Sequence, residues 1–173
     1  KIGGITCDGD KSLLKAIRKV CPKVPVQSCL VHIQRMCKIW LSAYPKSVAG
    51  FELREIVCKL HFVDSEVKKQ YWIKEFLDWF EKHKDFLNEK SYSLETGRYW
   101  YTHKMVRRCF SVIRKALPNM FTFLQNHKIP KTTNGIESFF GHLKGNLNIH
   151  RGLTKSRRKK FIQWYLFYKN LKS

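Results

Sequence analysis

Two carboxylates draw attention by where they fall. Asp8 ends a short apolar run over residues 2–7, and Glu137 follows Thr133-Asn134-Gly135-Ile136. A carboxylate at the C-terminal end of a buried strand lies where α/β sheets place groups that handle ligands. Hard divalent cations such as Mg²⁺ take a few carboxylate oxygens and otherwise keep their water. Each residue also has an ordinary reading. A turn aspartate after a strand is common, and Asp10, two residues on, has the type and place of a helix cap. The run Asn134-Gly135-Ile136-Glu137 has capping-box spacing, with Asn134 at the N-cap and the carboxylate three residues later. The periodicity puts Glu137 beside the apolar face of its helix, from where a side chain can point back toward a sheet. Cap and ligand both remain open for Glu137.

A second group is Cys29-Leu30-Val31-His32. Cys-x2-His spacing can ligate zinc, but a closed site needs two further ligands, and no second Cys-x2-Cys or His-x3-His pair is present. A buried thiol at a strand end, with a histidine at a helix start, is the simpler account. Tyr101-Thr102-His103-Lys104 is a polar patch before a helix, facing either a phosphate or solvent. His150-Arg151-Gly152 reads as a turn, and Arg157, Arg158, Lys159 and Lys160 follow it closely. Lys144 lies upstream on the helix that carries Glu137. The chain has no Gly-rich phosphate loop, no G-x-S-x-G elbow and no kinase signature.

The charge balance favours a polyanionic partner. Thirty-four Lys and Arg against thirteen Asp and Glu leave +21 in 173 residues. Each phosphate that a cation neutralises releases condensed counterions, so such a surface binds nucleic acid in a salt-dependent way. The cations are spread along the chain rather than gathered in a detachable arm. Six cysteines without a secretory leader point to reduced thiols, and no apolar run reaches the length of a bilayer span. The first residue is Lys1 and a strand follows almost at once, so further sequence upstream is expected.

The elements that must hold these groups follow from periodicity. Residues 2–7 read as a strand, and Leu13, Leu14, Ile17 and Val20 as a helix that Asp10 caps and Pro22 ends. Residues 25–29 read as a second extended piece. A helix follows, with Leu30, Ile33, Cys37, Trp40 and Leu41 on its apolar side. The order strand, helix, strand, helix implies a parallel sheet and an α/β class. From about residue 50 to 125 the pattern is helical. Trp72, Phe76 and Phe80 share one helix side, residues 105–117 form another helix that Pro118 breaks, and residues 91–97 read as a loop. Ile136, Phe139, Phe140 and Leu143 form one stripe at helical spacing. A last helix over residues 156–171 carries Phe161, Trp164, Tyr165 and Tyr168, with cations crowded at its start against the macrodipole. Trp79, Trp100 and Trp164 fall in line with other apolar positions and are expected in a core rather than as base-stacking platforms.

The segments ITCDGDKSLLKAI, VQSCLVHIQRMCK and TTNGIESFFGHLKGNLNIHRGL, the last two separated by a long helical stretch, carry a resemblance. In this order the chain resembles bacterial insertion-sequence transposases related to the eukaryotic Mutator group, from residue 5 to about residue 169. The resemblance implies an RNase H-like core, incomplete at its N-terminus, with a large all-helical insertion before the glutamate-bearing helix. Residues 1–50 would hold the second half of the sheet with Asp8, 51–127 the insertion, and 128–173 the last core helices with Glu137 and the basic segment. It implies that Asp8 and Glu137 are catalytic ligands of Mg²⁺ or Mn²⁺, supported by Cys29, His32 and Asn134. His103, Lys104, Lys144, His150, Arg151, Arg157, Arg158, Lys159 and Lys160 would contact DNA.

The activity implied is metal-dependent cleavage and strand transfer on transposon ends and target DNA. A homo-oligomer in the bacterial cytoplasm, associated with the nucleoid and not with a membrane, would perform it. That family's first catalytic aspartate lies on an earlier strand, so the chain alone is expected to be inactive or nearly so. The alternative is a non-catalytic, basic nucleic-acid-binding module from a decayed or domesticated transposase.

Overall fold

The computed structural model describes residues 2–171. Strand β1, Ile5–Cys7, pairs in parallel with β2, Val26–Ser28, in the register Ile5 to Val26, Thr6 to Gln27 and Cys7 to Ser28. Helix α1, Lys11–Val20, makes the crossover. Asp10 caps it as its position implied, its Oδ1 accepting from the Leu13 N–H at 2.8 Å. Of the stripe expected on α1 only Ile17 is buried, while Leu13 and Val20 are exposed. Two strands of three residues are too narrow to cover a ten-residue helix.

Helix α2, Leu30–Leu41, leads into a helical assembly of α3, Val48–Lys59, α4, Glu66–Asn88, α5, Lys104–Ala116, and the short α6, Thr122–Gln125. Ser47 and Ser65 cap α3 and α4 through their side chains. One core cluster runs through these helices, including Leu30, Ile33, Cys37, Leu53, Val57, Trp72, Phe76, Cys109 and Ile113. Its aromatic seam stacks Trp72 on Phe76 at 5.6 Å and Phe80 on Phe110 at 4.6 Å. Both buried indoles find partners, Trp72 donating to the Ile56 carbonyl and Trp79 to that of Ala49, as burial of an N–H requires. Leu117-Pro118-Asn119 forms a 3₁₀ turn where proline ends α5.

The loop expected at residues 91–97 is found at 93–97, while its first two residues belong to a strand. Lys90–Tyr92 and Tyr99–Tyr101 form β3 and β4, an antiparallel hairpin within the helical stretch. Tyr99-Trp100-Tyr101 is strong strand chemistry, and Gly97, at φ 64°, turns the connection. Beside the polar residues around it, so short an aromatic triplet shows no period.

The small parallel sheet is held from the side. Gln27, fully buried, donates from Nε2 to the carbonyls of Ser28 and Met120, each at 2.7 Å. Its Oε1 accepts from the Phe123 N–H at 3.0 Å. Thr6 Oγ1 donates to the Pro130 carbonyl at 2.6 Å, and the Leu30 N–H to that of Lys131 at 3.1 Å. Ile129 lies directly over Gly4, where a Cβ would stand 2.3 Å from its Cδ1.

The chain divides into two compact units, residues 1–132 and 133–173. The second contains α7, Asn134–Ile149, and α8, Lys155–Asn170, joined by a turn in which the Leu153 N–H donates to the His150 carbonyl. Within it Leu143 is buried and Phe139 meets Tyr165 at 5.6 Å, but Ile136 and Phe140 are exposed, so half of the expected stripe is uncovered. No helix among the described residues is long and apolar enough to cross a membrane.

Replacing Gln27 with Leu keeps the volume but leaves the Phe123 N–H and the Met120 carbonyl unsatisfied. We expect a loss of about 2–3 kcal/mol in urea denaturation. A change below about 0.5 kcal/mol would show that this amide is not what holds β2.

Candidate functional site

Asp8 stands immediately past the C-terminal end of β1 and is exposed. Its Oδ1 accepts from the Asp10 N–H at 3.1 Å, an Asx turn made possible by Gly9 at φ 88°. One oxygen is therefore held by the backbone and the carboxylate faces outward. Asp10 is committed to capping α1 and is less free to serve as a ligand.

Behind Asp8 the structure is dry. Cys7 is buried, and its carbonyl accepts from the Cys29 N–H at 2.8 Å. Cys29, itself buried, is the residue from which α2 starts, and its carbonyl accepts from the Ile33 N–H. The residue before Asp8 is thus hydrogen-bonded to the residue that starts α2. His32 sits half-buried on the first turn of that helix. Burial pushes the Cys7 thiol above its ordinary value. A backbone hydrogen bond at Gly9 opposes this, and the negative charge of Asp8 adds to the rise. The thiol stays protonated at neutral pH and places no anion beside Asp8.

Glu137 lies in the second unit, on the first turn of α7, and is exposed. The capping assignment moves by one residue, because Thr133, not Asn134, is the N-cap. Asn134 is the first helical residue and exposed. Glu137 is then at the fourth helical position, its N–H donating to the Thr133 carbonyl at 3.0 Å while Oε1 accepts from Thr133 Oγ1 at 2.7 Å. A hydroxyl that bonds the carboxylate orients it, and the reciprocal geometry of a capping box is not formed. One signal in the sequence was missed: after Glu95, Glu137 is the only acidic residue in the chain. Among the described residues no three His, Cys, Asp or Glu side chains converge within a unit as a metal cluster would.

The expected DNA-contact residues divide in two. His103 is engaged with its own protein, stacked on Phe86 at 3.5 Å with Nε2 2.8 Å from Glu89 Oε2. Lys104, Lys144, Arg151, Arg157, Arg158, Lys159 and Lys160 are exposed, and none of them forms an ion pair. His150 is exposed and tilts over Phe161 at 5.5 Å. Thr154 caps α8 just ahead of the cationic run, accepting from the Arg157 N–H.

Two of the three tryptophans expected in a core are not there. Trp79 is buried, but Trp100 is 52% exposed and its indole has no ring or hydrogen-bond partner, and Trp164 is 55% exposed. Trp100 sits on one face of the hairpin, opposite the face shared by Tyr92, Tyr99 and Tyr101. Lys90 lies over the Tyr99 ring and Arg107 over that of Tyr101. Apolar alignment along a helix cannot report on a two-residue strand period, so the exposure of Trp100 is not legible in the sequence.

Thiol accessibility checks the dry backing of Asp8. Cys21 and Cys58, half-buried, should react with a thiol reagent at pH 8, whereas Cys7, Cys29, Cys37 and Cys109 should be protected until unfolding. Cys7 reacting as fast as Cys21 would show that β1 is not packed as described.

No curated protein and no solved structure matches the chain significantly. The family model described as "Transposase IS66 family" matches residues 3–139. The matched span begins just before β1, includes Asp8, the Cys29–His32 element and the helical assembly, and ends two residues after Glu137. The chain belongs to the IS66 family of transposases.

Proposed function

We propose that this chain supplies Asp8 and Glu137 to a metal-dependent site that cuts and rejoins DNA by in-line phosphodiester displacement. The observation that carries the reading is the placement of Asp8. It is an exposed carboxylate at the C-terminal end of a parallel strand, oriented by the Asp10 N–H and backed by the bond between Cys7 and Cys29. Membership of a transposase family makes DNA the expected substrate. On this reading the parallel pair is part of an RNase H-like core, and the α3–α6 assembly with its hairpin is inserted before α7.

The donors fit a hard cation of the Mg²⁺ or Mn²⁺ kind, because both are carboxylates with an oxygen facing outward and the nearby thiol is kept neutral. Such an ion, when bound, activates the attacking hydroxyl and steadies charge on the leaving oxygen. In the displacement a hydroxyl oxygen of water, or of a DNA 3′ end, gives its proton to solvent and forms a bond to phosphorus. The opposite P–O3′ bond breaks, and the departing oxygen takes up a proton. The protein's part is positional. The turn at residues 8–10 fixes the Asp8 carboxylate, the Thr133 hydroxyl orients Glu137, and unpaired cations hold the DNA backbone. The partners are transposon ends and target DNA, bound by a homo-oligomer in the cytoplasm.

The test uses protein expressed from the full reading frame and a labelled duplex bearing the element's end. Asp8→Asn and Glu137→Gln should each lower Mg²⁺-dependent cleavage by roughly two orders of magnitude or more. Both side chains are exposed, so the melting temperature should hardly change. Wild-type cleavage by either variant would remove that residue from the site.

A further inference from the structure

Between α2 and α3 lies an open cleft of about 450 Å³ whose lining includes Arg35, Lys38 and Arg54, together with Val31, Gln34 and Ile39. No acidic residue lines it, and none of the three cations takes part in an ion pair or hydrogen bond within the protein. Arg54 is half-buried, and its Nη1 is out of contact with solvent yet has no hydrogen-bond partner, alone in this among the buried side-chain N and O atoms of the described residues. Elsewhere in this unit lysines beside carboxylates are paired, as Lys82 is with Glu52 and Lys68 with Asp64. Arg54 lines the cleft without a bond to the rest of the protein, and a bound anion can accept charge-assisted hydrogen bonds from its guanidinium.

We propose that this cleft is a phosphate-binding site, distinct from the carboxylates at Asp8 and Glu137. Val31, Arg35 and Lys38 follow at i, i+4 and i+7 on α2, so the two cations share one face of the helix, and Arg54 of α3 completes the cleft. Arg54 is the anchor because its planar fork suits phosphate oxygens and it is the least exposed of the three cations. The α2–α3 junction is itself rigid, since the Gln34 Nε2 donates to the Val57 carbonyl at 2.8 Å. At about 450 Å³ the cleft is larger than one phosphate group. Arg35 stands six residues beyond Cys29, about 9 Å along the helix from the residue whose N–H bonds the Cys7 carbonyl. The site takes either a phosphodiester of the DNA backbone or a small phosphorylated compound. Only the DNA assignment rests on the transposase reading.

Two probes on the 173-residue chain separate these sources. Inorganic phosphate, compared with chloride at equal ionic strength, should raise the melting temperature of the wild type but not of Arg54→Met. A 20-base-pair duplex should bind Arg54→Met about tenfold more weakly near 0.1 M salt, with the slope of log K against log salt reduced by about one. Arg35→Gln and Lys38→Gln, both exposed, should weaken binding in the same direction without altering the fold. Without ligand, Arg54→Met should melt no lower than the wild type, because no internal bond is lost. Loss of phosphate protection with an unchanged DNA slope keeps the site and assigns it to a small phosphorylated compound. If Arg54→Met changes neither probe, or merely melts lower while Arg35→Gln and Lys38→Gln change nothing, the site is wrong. None of these outcomes depends on DNA cleavage, so they stand apart from the tests of Asp8 and Glu137.

Discussion

A parallel pair of three-residue strands cannot hold itself together in water, so everything at Asp8 depends on what grips β2 from outside. That grip is the buried carboxamide of Gln27. It satisfies two carbonyls and one N–H, and ties the strand to residues 120–123 at the end of the helical assembly. Because a buried amide is costly unless its groups are bonded, the arrangement tolerates only one register. With β2 fixed, the bond from the Cys29 N–H to the Cys7 carbonyl fixes where β1 stops. Asp8 is the next residue, and Gly9 lets the chain turn there.

The second constraint is charge. Much of the chain's acid is used within the first unit, where Glu52 bridges to Lys82 and His83 and Asp64 pairs with Lys68. Both carboxyls have a lowered proton affinity, through the hydrogen bond from Lys82 to Glu52 and from Lys68 to Asp64 first. After Glu95 the sequence holds a single acidic residue, Glu137, among many cations, and Lys104, Lys144, Arg151, Arg157, Arg158, Lys159 and Lys160 form no ion pair. Lys155, Arg157 and Arg158 crowd the first turn of α8, where like charge opposes the helix dipole. An excess that is not neutralised internally has its natural counterpart in a polyanion, which accords with a transposase.

The sequence was informative where chemistry is local. Asp10 followed by a helical stripe announced the cap of α1, Pro118 announced the end of α5, and alternating strand and helix announced a parallel pair. It was less informative where tertiary neighbours decide. The stripe of α1 is helical yet mostly uncovered, because nothing in its period records how wide a sheet will face it. The β3–β4 hairpin was hidden in a polar stretch, and with it the exposure of Trp100. Thr133 displaced Asn134 as the cap of α7, a one-residue shift that spacing alone could not resolve between adjacent cap-forming residues. The Arg54 cleft joins side chains nineteen residues apart on two helices, and only packing brings them together.

The central claim is that Asp8 and Glu137 serve one divalent ion. Mn²⁺ binding to the full-length protein, followed by electron paramagnetic resonance, tests it without reference to turnover. Asp8→Asn and Glu137→Gln should each weaken Mn²⁺ binding by about tenfold or more, and the double variant should lose much less than the sum of the two, as groups sharing one ion do. Strictly additive losses, or Mn²⁺ binding unchanged in both single variants, would contradict a shared site.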